Sequence, residues 1–203
     1  MIIANNKPIK IIGYVESSMT HEFVNEISKT RAVDIIAPGD FLTLGDKQQY
    51  QYIVSVTVDL VERKQIIDLV DTLALDLITV INDTALIDHT PSPNIQPGTF
   101  IFPFCNISLG SSIDRHCIIG SYTLVGHYST IGKNCILRPG VMLHGKSHVG
   151  NNCVINTRAT ITNGARVADN IKVLGSAGVF KNLDTPGTYV GCPARRSSKL
   201  TDF

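Results

Sequence analysis

From Ile95 onward an aliphatic side chain returns at every sixth position: Ile95, Ile101, Ile107, Ile113, Ile119, Val125, Ile131, Leu137, Leu143, Val149, Ile155, Ile161, Val167, Val173 and Val179. Few folds accept that period. It is too long for the rhythm of a helix and is not the plain alternation of a strand with one face on a core. It suits short parallel strands joined by tight corners, three to a turn, with about 18 residues in each coil. Two residues before nearly every anchor the side chain is small: Thr99, Cys105, Ser111, Cys117, Thr123, Ser129, Cys135, Ser147, Cys153, Ala159, Ala165 and Ala177, with Ile171 the main exception. Each hexad therefore sends two side chains inward, a small one near a corner and a large one at mid-face. Gly120, Gly126, Gly132 and Gly150, each just after an anchor, relieve crowding between backbones. The expected fold is a left-handed parallel β-helix of about five coils, a rare breach of the right-handed crossover rule.

The same count accounts for four of the five cysteines. Cys105, Cys117, Cys135 and Cys153 occupy the small inward position, where a thiol acts as a compact hydrophobe; Cys192, in "GCPARR", lies outside the repeat. No CxxC pairing suggests zinc.

Before Ile95 the pattern changes. "IKIIGYV", "YQYIVSVTV" and "DLITVIND" read as strands, "DLVERKQIIDLVDTLAL" as an amphipathic helix and "MTHEFVNEISKT" as a weaker one. The expectation is a small α/β domain with a parallel sheet over residues 1–90, the β-helix over 91–182 and a closing segment over 183–203. The proline-rich "DHTPSPNIQPG" marks the first join. Open parallel sheets take ligands at the carboxyl ends of their strands, so Gly13 and Tyr14 in "GYVESSMTH" are candidate substrate-binding residues. A purely structural module is the alternative.

The 18 basic and 17 acidic residues are interspersed, so no basic stripe calls for nucleic acid. No apolar run approaches the about 20 residues that span a bilayer, and "MIIANNKPIKII" lacks the parts of a secretion signal. A cytoplasmic location is expected.

In an 18-residue coil, residues 18 apart lie one above the other at about 4.8 Å. His127 thus stacks under Gly145, with Leu109 below it and Asn163 two coils above, and it points outward because it follows its anchor by two. Glycine at 145 leaves room over the imidazole and a free amide N–H. A base and an amide donor one strand apart are the minimum for acyl transfer: the imidazole takes the proton of an attacking amine or hydroxyl, and the N–H holds the oxyanion on a thioester carbonyl. A solvated surface histidine is the alternative. A metal site is the rival from another class, as in the zinc-binding γ-carbonic anhydrases with hexapeptide helices. His127 and His144 are neighbours, but His116 and His148 fall elsewhere on the circumference, so one chain does not supply the three convergent imidazoles that zinc needs. A non-catalytic scaffold is the third reading.

The layout, with "VGHYSTIGKNC", "VLGSAGVFKNL" and the terminal "GTYVGCPARR", resembles the hexapeptide-repeat sugar acyltransferases, which include the sialic acid O-acetyltransferases and the bacillosamine-pathway N-acetyltransferases. The resemblance covers residues from about 50 to 196. It implies a homotrimer that binds acetyl-CoA between adjacent helices, needs no metal, and acetylates a sugar or amino sugar, free or nucleotide-linked, for a bacterial surface glycan. It places the catalytic base on His127 and the oxyanion glycine on Gly145. It puts Thr157, Gly175 and Ala177, with Gly145, along the cofactor groove, and Arg195 and Arg196 either near the phosphates of CoA or simply in solvent. The chain departs from the family pattern in two places. Tyr128 stands where an acidic residue often follows the histidine, and only Gly13 remains of the glycine-rich turn after the first strand.

Overall fold

The computed structural model describes residues 2–3, 7–14, 16–29, 31–57 and 59–198. The chain divides into two compact units, Met1–Val80 and Ile81–Phe203.

The first unit contains β1 (Ile2–Ile3), β2 (Ile9–Ile12), α1 (Ser18–Ile27), β3 (Val33–Ile36), α2 (Pro38–Thr43), β4 (Gln51–Val54), α3 (Leu60–Thr72), β5 (Asp76–Leu77) and β6 (Thr79–Ile81). Four strands form a parallel sheet in the order β3-β2-β4-β5, and β1 pairs antiparallel with the start of β6. Burial on both faces suits strands as apolar as "IKII" and "QYIV". Asp59 caps α3 by accepting from the Glu62 amide at 2.9 Å. Buried Arg63 donates to the carbonyls of Val54 and Val56 at 2.9 and 2.8 Å, so its charge anchors the end of β4. The connection leaving β2 runs to β3 on one side and that leaving β4 runs to β5 on the other, so the switch point lies at the carboxyl ends of β2 and β4. Gly13 and Ser55 stand there.

The second unit is the parallel β-helix expected from the hexads, with about six turns. Its three faces are called A, B and C here. Face A stacks Phe100–Ile101, Ile118–Ile119, Ile136–Leu137, Val154–Ile155 and Ile171–Val173. Face B stacks Leu86–Ile87, Asn106–Ile107, Leu124–Val125, Met142–Leu143, Thr160–Ile161 and Gly178–Val179. Face C stacks Asn94–Ile95, Ser112–Ile113, Thr130–Ile131, His148–Val149 and Arg166–Val167. Anchors and small residues form one continuous core, and each fully buried anchor stabilises the coil by about 1.5–3 kcal/mol. All four core cysteines are free and buried. Burial pushes the Cys105 thiol up to about 11 and the Cys135 thiol well above its usual value.

Parallel pairing begins earlier than the count of sixes indicates. Leu86–Ile87 already pairs with Asn106–Ile107, 20 residues on, so the first coil carries two extra residues between Ile87 and Ile95. The about five coils expected become about six. The closing segment takes up hydrogen bonds at the end of every face. Gly187–Val190 adds to face A and is followed by antiparallel Arg195–Arg196. Gly178 on face B donates to Gly191 at 3.0 Å and accepts from Ala194 at 2.7 Å. Leu183 bridges Val167 on face C. Among the described residues no helix is long and apolar enough to cross a membrane.

Candidate active site

The corner between faces B and C carries the residues singled out by stacking. After Val125 the chain turns through Gly126, His127, Tyr128 and Ser129, closed by the Ser129 amide donating to the Gly126 carbonyl at 3.2 Å. Tyr128 is left-handed at φ 54°, as suits the second residue of a tight corner that turns the chain from face B to face C. The coil above is registered by Gly126 donating to Leu143 at 2.7 Å and Lys146 donating to His127 at 2.8 Å.

His127 is exposed, and its ring lies on Gly145. A Cβ at residue 145 would stand 2.2 Å from Cε1, 2.5 Å from Nε2 and 2.7 Å from Nδ1 of the imidazole. Only glycine fits against the ring in this position. Gly126 is tied as closely, since a Cβ there would come 2.6 Å from the Gly145 nitrogen. Among the described residues nothing accepts the Gly145 amide proton, and neither nitrogen of the His127 ring has a hydrogen-bond partner. The corner therefore presents an exposed base beside a backbone donor that is unpaired among the described residues but buried, covered by the ring itself. No carboxylate bonds the ring. Its neighbour is Tyr128, edge-on at 6.0 Å and 89°, whose own ring lies against Gly110 in the coil below.

The other expected residues lie elsewhere. Thr157 and Gly175 are exposed one above the other on the corner between faces A and B, across face B from His127. Ala177 is 1% exposed and belongs to the core, with its amide donating to Leu174 and its carbonyl accepting from Thr160. It cannot line a surface groove, because the second position before an anchor points inward. Arg195 and Arg196 border a cavity of about 310 Å³ at the end of the coil, together with Phe180, Lys181, Tyr189 and Pro193. Lys181 went unremarked in the sequence. It stands 54 residues, three coils, past His127 on the same corner, and the 18-residue count was sufficient to find it.

In the first unit Gly13 is needed for packing: a Cβ there would meet Ser55 Oγ at 1.9 Å and Thr20 Oγ1 at 2.7 Å, and these two hydroxyls bond each other at 2.9 Å. Tyr14 is 43% exposed and donates to the Glu62 carboxylate at 2.7 Å, which raises the phenol's pKa. Glu62 was also missed, because on the sequence it reads as an ordinary first-turn acid of α3.

The remaining histidines do not converge. His116 is buried at the corner between faces C and A, while His148 lies exposed on face C with Nδ1 2.5 Å from Thr130 Oγ1. Among the described residues no group of three or more His, Cys, Asp or Glu side chains is placed to hold a metal ion.

Comparison with known proteins adds the following. The bacterial transferase hexapeptide family (six repeats) matches residues 110–145 and 128–163, a span that includes both His127 and Gly145. No curated protein matches the sequence significantly. Among solved structures, PerB from Caulobacter crescentus, in complex with CoA and GDP-perosamine, is 18% identical over 95% of this chain and 97% of its own, with a TM-score of 0.77. The acetyltransferase domain of PglB from Neisseria gonorrhoeae, in complex with acetyl coenzyme A, is 18% identical over 95% of this chain and 100% of its own, with a TM-score of 0.68. WeeI from Acinetobacter baumannii is 18% identical over 92% and 98%, with a TM-score of 0.50. At these identities the likeness is one of fold, and it extends over both units.

Proposed function

We propose that the protein is an acetyl-CoA-dependent acyltransferase that acetylates a sugar or amino sugar, free or nucleotide-linked, in the assembly of a bacterial surface glycan. One observation carries the reading: the His127 imidazole lies directly on Gly145, and both the ring and the amide are without partners among the described residues. The acceptor amine or hydroxyl attacks the thioester carbonyl and passes its proton to His127. The new bond to carbon forms, negative charge collects on the carbonyl oxygen, and the Gly145 N–H holds it. The C–S bond then breaks and the imidazolium returns the proton to the departing thiolate. Base and donor are fixed before substrate arrives, by the registry of two coils.

The donor's direction follows from the corner. From His127 to Lys181 is three coil steps, about 14 Å, and an extended pantetheine arm of 13 bonds reaches about 15 Å at peptide-like rise per bond. With the thioester at His127, the phosphates come to Lys181, Arg195 and Arg196. PerB and the PglB domain were solved with CoA and acetyl coenzyme A respectively, which supports this class of donor. A homotrimer in the cytoplasm completes the proposal. Three copies around one axis would set the corner bearing Thr157 and Gly175 of one copy beside the corner bearing His127 of the next.

The test is His127→Ala assayed for acetyl transfer from acetyl-CoA to a panel of free and nucleotide-linked amino sugars. The expected loss is about 10²–10⁴-fold in kcat, with an unchanged circular dichroism spectrum. Transfer at the wild-type rate would refute the assignment.

A further inference from the structure

The corner between faces A and B, which the proposed trimer sets beside the His127 corner of the next copy, carries a second arrangement of its own. Residues 104, 122, 140 and 158 follow one another at the 18-residue step and are Phe, Tyr, Gly and Arg. Phe104 and Tyr122 are 54% and 64% exposed, and their rings stack with centroids 5.0 Å apart and planes inclined by 20°. Both backbones are left-handed, at φ 60°, where glycine or asparagine would sit with less strain. Two large rings thus occupy unfavourable corner positions and bury little surface there. The stack stops at Gly140. Of all side chains, only Arg158 comes within 4 Å of where a Cβ at 140 would be, with its Cγ at 3.4 Å, so the side toward Tyr122 is open. The Arg158 guanidinium has no partner among the described residues.

We infer that the gap at Gly140, between the outer face of Tyr122 and the side chain of Arg158, binds a nucleobase. A planar ring placed at the coil step continues the Phe104–Tyr122 stack and receives the guanidinium on its other face, the sandwich in which arginine and aromatic rings hold bases. Tyr122 and His127 belong to the same coil at opposite edges of face B, five residues and so at most about 17 Å apart. The base has two sources in the proposed reaction: the adenine of CoA, or the base of a nucleotide-linked acceptor. The inference concerns binding and does not require His127 to be the base catalyst.

Calorimetric titration of the full chain distinguishes the cases. The probes are CoA against its abasic analogue, which keeps the ribose and all three phosphates, and UDP and GDP against ribose 5-diphosphate. The wild-type protein is expected to bind at least one base-bearing compound at least about 10-fold more tightly than its baseless counterpart. Tyr122→Leu keeps apolar bulk but removes the ring, and should weaken that binding about 5- to 100-fold. Gly140→Asn, a residue that tolerates positive φ, should do the same by filling the gap. Preference for CoA identifies the donor's adenine, and preference for UDP or GDP identifies the acceptor. Equal binding of base-bearing and baseless compounds overturns the inference, as do unchanged affinities in both variants. It also fails if Tyr122→Leu alters only the sedimentation coefficient, which would mean that the ring pair seats a second copy of the chain. A wild-type acetylation rate in His127→Ala would refute the acyl-transfer reading and leave this result standing.

Discussion

At the scale of single residues, glycine determines what the corner at His127 can do. Gly145→Ala would drive a methyl group to about 2 Å from the imidazole, so the ring must leave its place over the amide. We expect kcat to fall by about 10²-fold or more, comparable to loss of an oxyanion donor, with the melting temperature lowered by only a few degrees because the ring is at the surface. A melting curve and a progress curve on the same sample check both parts. The thiols offer a second residue-scale test. Four of the five cysteines are buried and free, and Cys192 is exposed. Burial holds Cys105 and Cys135 in the unreactive thiol form. Native protein is expected to release one equivalent of thionitrobenzoate with Ellman's reagent, and unfolded protein five; rapid release of more than one from native protein would contradict the packing.

At the scale of elements, the repeat makes every coil depend on its neighbours. Ile119→Ala, in the middle of the stack and fully buried, should cost about 2–5 kcal/mol, measured by denaturant unfolding. The same regularity explains what was legible in the sequence. From Ile95 to Val179 each anchor, each inward small residue and the vertical pair of His127 and Gly145 follow from counting, because registry in a coil is set by chain length alone. Where the length changes, counting fails. The 20-residue step from Ile87 to Ile107 hid the first turn. β3, "VDII", shows no clean pattern because only Ile36 of its four residues is buried. Ala177 was placed in a groove although the inward rule already assigned it to the core. Arg63 and Glu62 gave no signal, since what each one binds lies on other elements and depends on how α3 packs.

For the whole molecule, the capped end of the β-helix bears on solubility. A stack of parallel strands displays unpaired amides and carbonyls at its last coil on every face, and such edges pair readily with strands of other chains. Here Leu183, the loop from Gly191 to Ala194 and the strands Gly187–Val190 and Arg195–Arg196 occupy those groups. A chain ending at Asn182 would retain all six residues from His127 to Gly132 and every inner anchor, yet expose three sticky rims. We expect it to aggregate through those rims, with aggregates visible by negative-stain microscopy, whereas the intact chain scatters no more light than a small oligomer. The segment that carries Arg195 and Arg196 would thus also be the plug that shields the last coil from other chains.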